Sequence, residues 1–573
     1  MKYCFIFIRS LSLIVALIIT TALGQGIPGY SCYRTVEETF ASAQDIVNNY
    51  PELAQWIDIG DSWEKIEPAG EPGYDIFALR LTNSTINQPG SKPKLIIVSG
   101  LSPLEYSPPE LAIRFAEYLV EHYNQEADVT WILDYHEIHL IIHANPDGRK
   151  KAEQGLPWRK NTNGNYCSPT SNSRGADLDR NFEFQWGCCG GSSGDECNNN
   201  YRGPAPASEP ETKAIENYLQ SLLKDNRPND LSTAAPDSTP GILIHLQSYM
   251  KLVMWPWGFT SLPSPNNSSI QTLGRKLAFY NGYIPQQAVA HLLADGALID
   301  FSYGDLGVAT LSVLLGNSYF QDCISFENRI LPDNLNLLTK AAKMVRAPYL
   351  ISSGPEVINI NIGEQQSDKI QISATINDTM YNNINGTEPS QSIKAAEYYI
   401  DFPPWVSVQV PIAYSMNASD GIFDSQVEDV IAMIDVSGYS LGRHTVFMRG
   451  QDADDNWGNF SAIFIEITQS TGINDSSSQP DDQYPKVSIH PIPFHINTNI
   501  ELLVKSSTLI SIDIYDVLGR KVRSISNRVF SSGTHDLLWD SRDQSGSLVT
   551  SGVYFLRLSA MEKIKNYKII KIK

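Results

Sequence analysis

The chain has 573 residues, a formal net charge of −20 and a hydrophobic content of 42%. This length predicts several domains, and the balance of apolar and charged residues excludes a mainly disordered chain. The acidic balance argues against nucleic-acid binding, which needs a basic face.

The chain begins with a segment typical of a secretory signal. Lys2 and Arg9 supply positive charge, and "LSLIVALIITTALG" supplies an apolar run and small residues before a cleavage site near Gly24. We therefore predict that residues 1–24 are removed. The alternative is a membrane anchor, but this run is short for a span and no later stretch is long enough. We expect no transmembrane segment in the mature chain.

Six cysteines remain after the signal, and an even number in an exported chain favours disulfides. A zinc cluster is the competing interpretation, although no C-x-x-C pair supports it. Cys188 and Cys189 are adjacent and both lie near Cys197, so the sequence leaves the pairing open. The six residues are Cys32, Cys167, Cys188, Cys189, Cys197 and Cys323.

From Tyr33 to about Pro348, helical and strand patterns alternate. Thr35 and Glu38 have the spacing of a capping box at the start of a helix. The runs "KLIIVSG", "EIHLIIHANP", "GILIHLQSY" and "ATLSVLLG" predict buried strands, while "ELAIRFAEYLVEHYN" and "NLLTKAAKMVRAPY" predict amphipathic helices. This alternation predicts one large α/β domain, assigned to residues 30–348.

The remainder of the chain has strand patterns only. Residues 355–468 predict a β-sandwich, residues 469–484 a flexible linker, and residues 485–573 another all-β domain. The motif "GQDADDNWG" (450–458) forms a turn or binds calcium through Asp452, Asp454 and Asp455, and the turn is favoured. The last strand carries spaced lysines, a pattern that protects a sheet edge.

Eight motifs in order resemble the zinc carboxypeptidase family of the carboxypeptidase A and T kind, over residues 30–348. The resemblance implies a mixed sheet flanked by helices. It also implies one zinc, held by a His-x-x-Glu pair and a distant histidine, with a glutamate as base. The motifs are "GLSPLEYSPPEL", "HANPDG", "WRKN", "GADLDRNFEFQWG", "YRGPAPASEPET", "QSYMKLVMWPWG", "DGALIDFSYGDLG" and "ISFENRILPDNL".

The resemblance places unsuitable residues at the catalytic positions. Ser102 and Gln247 stand at the two histidine positions, and only Glu105 keeps its family identity as a ligand. Leu314 stands at the position of the base, and Leu292 at that of the tyrosine that covers the substrate. Zinc favours imidazole and thiolate over neutral oxygens, and leucine cannot move a proton. We therefore expect no zinc cofactor and no catalysis. The alternative is an active zinc metallocarboxypeptidase that releases C-terminal residues.

No other titratable residue has the spacing to replace the missing histidine ligands or the glutamate base. His245 precedes the second histidine position by two residues, so on a strand it lies on the same face but about 6–7 Å away. Glu327 is interpreted as structural. Three further histidines are placed on one strand without ligand spacing: His136, His139 and His143.

Residues matching the family's substrate-binding groups are present. By resemblance, Arg159 corresponds to the arginine that steadies the oxyanion, Arg180 to the one that binds a terminal carboxylate, and Tyr249 also matches. Asp179 replaces an asparagine, and its charge opposes an anion or occupies Arg180 in a bidentate pair. Two interpretations stay open: weakened binding of a peptide or protein C-terminus, or a purely structural ion-pair network. Ile299 predicts an apolar pocket floor.

Two further resemblances concern the β domains. Residues 355–468 resemble an immunoglobulin-like or fibronectin-like module. The motifs "HPIPF", "ISIDIYDVLGRKV", "HDLLWDSRDQSGSLVTSGVYFLRL" and "NYKIIKIK" resemble a type IX secretion sorting domain over residues 485–573. That resemblance implies export across the outer membrane of Bacteroidetes-type bacteria, followed by release or attachment to the cell surface. A plain adhesive β domain is the alternative.

The combined prediction is a secreted pseudo-peptidase retained for binding peptides or a partner. An active enzyme and a surface protein without a ligand are the competing interpretations.

Overall fold

The protein is described from a computed structural model. The predicted signal segment and the predicted linker lie outside the described residues. The chain divides into two units, one up to Ser470 and one from Thr471. The structure describes residues 26–67, 72–86, 91–406, 411–468, 485–491, 494–516, 520–561 and 563–572.

The first unit contains a mixed eight-stranded sheet, as the family resemblance predicts. Its strands are β1 (Ala54–Asp61), β2 (Asp75–Leu81), β3 (Lys94–Val98), β4 (Glu137–Ile141), β5 (Ile242–Ser248), β6 (Leu252–Trp255), β7 (Ile284–Gln287) and β8 (Ala309–Leu315). The spatial order is β1-β2-β4-β3-β5-β8-β6-β7. Neighbours among β4, β3, β5 and β8 are parallel. Every residue of β3 and β8 is buried, which agrees with their mostly apolar sequences.

Helices flank this sheet. The first helix begins with the predicted capping box, because Thr35 Oγ1 accepts from the Glu38 amide at 3.2 Å and Glu38 Oε2 accepts from the Thr35 amide at 2.9 Å. The helices are α1 (Val36–Asn49), α2 (Trp63–Ile66), α3 (Ser107–His122), α4 (Ala127–Tyr135), α5 (Pro146–Ala152), α6 (Pro210–Leu222), α7 (Asn267–Asn281), α8 (Leu298–Gly304), α9 (Cys323–Ser325), α10 (Leu331–Met344) and α11 (Pro348–Ile351).

A second, antiparallel sheet completes the first unit. Its strands are β9 (Glu356–Gln366), β10 (Lys369–Asn377), β11 (Ile393–Ile400), β12 (Tyr414–Ala418), β13 (Val427–Asp435), β14 (Gly442–Asp452) and β15 (Ser461–Ile467), in the order β15-β14-β11-β12-β13-β10-β9. The two end strands of this order, β9 and β15, also contact each other, so the sheet curls into a sandwich. Alternate residues of β10 and β13 are buried in its core.

Buried charges join the sandwich to the α/β part. Glu356, at the start of β9, is fully buried and pairs with Lys340 at 3.2 Å and Lys276 at 3.8 Å. Arg275 in α7 donates to four carbonyls of one sandwich loop, those of Asn382, Ile384, Asn385 and Gly386. Because removing one member of a buried pair is costly, the two parts stabilise each other.

The second unit consists of two antiparallel sheets. One contains β16 (Lys486–His490), β17 (Thr498–Val504) and β20 (Gly533–Trp539), in the order β16-β17-β20. The other contains β18 (Thr508–Asp516), β19 (Lys521–Phe530), β21 (Gly552–Ala560) and β22 (Lys563–Lys571), in the order β19-β18-β21-β22. The lysine-rich β22 lies at the edge of its sheet, as predicted.

All six described cysteines form disulfides, in agreement with the sequence-based preference. Tertiary structure supplies the pairing that the sequence left open. The bonds join Cys32 to Cys323, Cys167 to Cys197, and the neighbours Cys188 and Cys189.

One strand prediction is wrong and one turn prediction is confirmed. Only His139 lies within β4, because this strand has five residues, so His136 precedes it and His143 follows it. In the "GQDADDNWG" motif, Asp452 accepts hydrogen bonds from the amides of Asp454 and Asn456, which is the geometry of a turn.

Candidate functional site

All predicted site residues except Ser102, which is buried in the loop after β3, line one cavity where the parallel strands end. β5 ends at Ser248, β8 ends at Leu315, and the loop after β3 carries Glu105. The carboxyl ends of parallel strands form the usual ligand crevice of an α/β sheet. A cavity of about 160 Å³ opens there. Its lining includes Glu105, Arg159, Asp179, Arg180, Gln247, Tyr249, Leu292, Ile299 and Leu314.

Glu105 is held by the main chain. Its Oε2 accepts a hydrogen bond from the Ser248 amide at 2.6 Å, and its own amide donates to the Ser102 carbonyl at 3.2 Å. Burial raises the pKa of Glu105 to about 8, although Arg159 and the Ser248 amide favour the ionised form. The carboxyl group is therefore a buried, hydrogen-bonded part of the cavity wall.

Gln247 is engaged by polar neighbours. Its Nε2 lies 2.6 Å from His245 Nδ1 and 3.4 Å from Asp179 Oδ2. Burial lowers the pKa of His245, even though the charge of Asp179 opposes this shift. A neutral imidazole with a bare Nδ1 accepts from the Gln247 amide. His245 thus lies on the same face as Gln247, as predicted, and acts as its hydrogen-bond partner.

The guanidinium of Arg159 is paired with Asp177, a residue that sequence reasoning did not single out. Nε and Nη2 of Arg159 both lie 3.0 Å from Asp177 Oδ2. The charge of Asp177 holds the pKa of Arg159 above its usual value. Asp177 is buried, and its position two residues before Asp179 in "GADLDRN" was the available signal. Arg159 is therefore held by Asp177, while Arg180 and Asp179 of the suggested ion-pair network lie 3.4 Å apart.

Arg180 does not form the expected bidentate pair with Asp179. Its Nη1 donates to the Asp179 carbonyl at 2.5 Å and lies 3.4 Å from Asp179 Oδ2, while its Nε donates to the Gly191 carbonyl at 3.2 Å. Asp179 Oδ1 accepts from the amide of Leu298, in the first turn of α8, at 3.0 Å. Main-chain carbonyls therefore engage two of the three nitrogens of Arg180.

The opposite wall of the cavity is apolar. Leu314 is 2% exposed and belongs to one hydrophobic cluster with Leu252, Met254, Ala288, Ala297 and Ile299. Leu292, by contrast, is half-exposed at the cavity rim. The cavity thus combines one apolar wall with one wall of buried, hydrogen-bonded polar groups.

A family model described as zinc carboxypeptidase matches residues 40–335, which is more than half of the chain. The chain belongs to the zinc carboxypeptidase family. Among similar proteins, a zinc carboxypeptidase from Saccharothrix mutabilis subsp. capreolus is 26% identical over 288 residues, covering 48% of this chain and 60% of its own length. Carboxypeptidase A1 from Mus musculus is 28% identical over 250 residues, covering 43% of this chain and 52% of its own length. The chain thus spans 52–60% of these curated relatives.

Two solved structures are similar to about half of the chain. Thrombin-activatable fibrinolysis inhibitor is 22% identical with a TM-score of 0.46, covering 55% of this chain and 74% of its own. Carboxypeptidase A from Helicoverpa armigera is 22% identical with a TM-score of 0.45, covering 54% of this chain and 73% of its own.

A second family model, a secretion system C-terminal sorting domain, matches residues 488–573. It covers most of the second unit and indicates secretion with attachment to the cell surface. The protein is therefore a secreted member of the zinc carboxypeptidase fold. None of the helices in the described part of the chain has the length and apolar character of a membrane span.

The residues that the sequence resemblance assigns to the ligand positions do not fit a zinc ion. Glu105 is the one carboxylate among them, and it is bound to the Ser248 amide, while Ser102 and Gln247 supply neutral oxygens. Zinc sites in proteins use imidazole, thiolate and carboxylate ligands. Across the described ranges, no group of three or more His, Cys, Asp or Glu side chains is arranged to hold a metal.

A serine, a histidine and an aspartate also meet in the sandwich. His444 Nδ1 lies 2.7 Å from Asp401 Oδ2, and Nε2 lies 3.3 Å from Ser440 Oγ but 2.9 Å from the Ser440 carbonyl. Burial lowers the pKa of His444, but the bonds to Asp401 and Ser440 outweigh it and raise the pKa overall. Since Nε2 donates to a carbonyl, it is not a bare base for the serine hydroxyl. This arrangement is structural.

Proposed function

We propose that this member of the zinc carboxypeptidase family is catalytically silent and that its cavity binds a ligand, a peptide or a partner segment, at the cell surface. The observation that carries the proposal is the position of Leu314. Its side chain is buried in an apolar cluster at the place where the family resemblance puts the proton-transferring glutamate. A hydrocarbon side chain can neither accept nor deliver a proton.

The polar wall of the cavity supports the same proposal. A catalytic zinc needs three protein ligands and a water that the ion activates. Gln247 is used in a hydrogen bond to His245, and Glu105 in one to the Ser248 amide. Both side chains therefore form hydrogen bonds within the cavity wall.

The competing candidate is an active zinc metallocarboxypeptidase, and family membership favours it. Function depends on the residues of a site more than on its fold. The two candidates differ in metal content and in turnover, so one experiment separates them.

The experiment uses the chain without its signal and with the sandwich, because Glu356 and Arg275 bind across the two parts. Purified protein is supplied with zinc, and bound metal and release of the last residue from a hydrophobic peptide are measured. We expect no stoichiometric zinc and no chelator-sensitive release. Stoichiometric zinc together with chelator-sensitive release would refute the proposal.

A restored variant provides the positive control. It combines Ser102→His, Gln247→His and Leu314→Glu, because a metal, its ligands and a base act as a unit and single restorations return little activity. Zinc binding by this variant shows that the assay detects metal in this scaffold.

A further inference from the structure

We propose that the cavity selects an apolar ligand that ends in an N–H donor, such as a primary amide, and discriminates against the same ligand ending in a free carboxylate. This inference rests on the proposed function, namely that the cavity binds a ligand without turning it over. It names the chemical class of that ligand.

The apolar half of the ligand follows from one wall of the cavity. Leu314, Ile299 and Met254 belong to a single hydrophobic cluster and line the cavity together. Burying an aliphatic side chain against such a wall is favourable in proportion to its apolar area. The cavity, about 160 Å³ in volume, has room for one side chain or a small molecule.

The donor follows from Asp179. Its Oδ1 accepts from the Leu298 amide at 3.0 Å, whereas its Oδ2 has contacts of 3.4 Å to Arg180 Nη1 and 3.4 Å to Gln247 Nε2. Contacts of that length are weak hydrogen bonds, so Oδ2 retains the capacity to accept a short bond from a ligand. A carboxylate accepts hydrogen bonds and repels a second carboxylate.

The two guanidinium groups in the wall offset this preference only in part, because the protein engages two of the three nitrogens of each. Arg180 donates to the carbonyls of Asp179 and Gly191 and is 3% exposed. Two nitrogens of Arg159 bind the buried carboxylate of Asp177. A bidentate grip on a ligand carboxylate needs a guanidinium edge that is free.

The position of the acceptor Asp179 within the cavity agrees with an apolar ligand. Leu298, which anchors Asp179 Oδ1, is followed directly by Ile299 of the apolar wall. A ligand whose side chain contacts Ile299 therefore brings its polar end close to Asp179. The first turn of α8 therefore supplies both the amide that binds Asp179 and Ile299 of the apolar wall.

The test compares two probes that differ only in the terminal group: N-acetyl-leucinamide and N-acetyl-leucine. Binding of each to the full chain is measured by calorimetry or ligand-observed NMR. We expect the amide to bind at least about tenfold more tightly than the acid, because like charges at short range repel strongly in a partly buried site. Asp179→Asn removes the negative charge and should therefore tighten binding of the acid. The preference for the amide over the acid should become smaller or reverse in this variant.

The control variant is Glu364→Gln, which removes one negative charge from an exposed position of β9. It should leave the ratio unchanged, and thermal melting should show that Asp179→Asn is folded. Equal or tighter binding of the acid to the unmodified chain would overturn the ligand class while leaving a silent binding site in place. If neither probe binds, this inference is overturned. Zinc-dependent turnover in the separate assay would instead refute the proposed function.

Discussion

The single substitution Leu314→Glu, which restores the family's base, should lower the stability of the protein and produce no catalytic activity. Leu314 is 2% exposed and packs against the side chains of Met254 and Ile299. Leu314→Glu removes this apolar burial and places a carboxyl group in an apolar cluster. The lost transfer free energy and the cost of burying a polar group together predict destabilisation of about 3 kcal/mol. No turnover is expected, because neither the zinc ion nor its histidine ligands are supplied.

The assay combines chemical denaturation with peptide hydrolysis in the presence of zinc. Leu314→Met is the matched control, since a volume-conserving apolar substitution costs less than about 1.5 kcal/mol. Unchanged stability in Leu314→Glu would show that the side chain is not packed in an apolar wall. Measurable zinc-dependent hydrolysis by this single variant would refute the reasoning that the ligand set is also deficient.

Three further predictions concern charged groups. Burial raises the pKa of Glu105 from 4.5 to about 8, so ionising this group lowers the stability of the fold as the pH rises from 4.5 towards 8. Glu105→Gln should therefore stabilise the protein by up to about 3 kcal/mol at pH 7, which chemical denaturation at pH 5 and pH 7 checks. Glu356→Ala leaves Lys276 buried without its partner and should cost about 3–5 kcal/mol; an unchanged melting temperature would contradict this. The folded-state pKa of His444 is raised above the unfolded value of about 6.5, so its bond to Asp401 stabilises the fold fully below pH 6.5 and loses this effect as the pH rises through the folded-state pKa. Asp401→Asn should therefore lower the free energy of unfolding more at pH 6 than at pH 9.

Local sequence signals predicted the elements well and their tertiary pairing poorly. The capping box at Thr35 and the apolar runs that became β3, β5 and β8 depend on neighbouring residues, so the sequence reveals them. His136 and His143 were placed on a strand because the apolar pattern continues past the residues that actually pair in β4. The buried pair of Glu356 with Lys340 joins residues of the α/β part and the sandwich, and nothing local in the sequence marks it.

The sequence predicts where the candidate site lies better than it predicts the hydrogen-bond and ion-pair partners of the site residues. Motif spacing brought Glu105, Gln247 and Leu314 to one cavity, because strand ends of a parallel sheet converge. The partner of Arg159 was not predicted, since Asp177 and Asp179 are both carboxylates within three residues and only the fold orients one towards it. The hydrogen bond from Gln247 to His245 likewise depends on side-chain orientation on β5.

Zinc content measured by mass spectrometry tests the central claim most directly. The full secreted chain is equilibrated with zinc, dialysed, and compared with the variant carrying Ser102→His, Gln247→His and Leu314→Glu. A serine hydroxyl, an amide and one hydrogen-bonded carboxyl should retain far less than one zinc per chain, and the variant should retain more. One tightly bound zinc per unmodified chain, released by a chelator, would contradict the account.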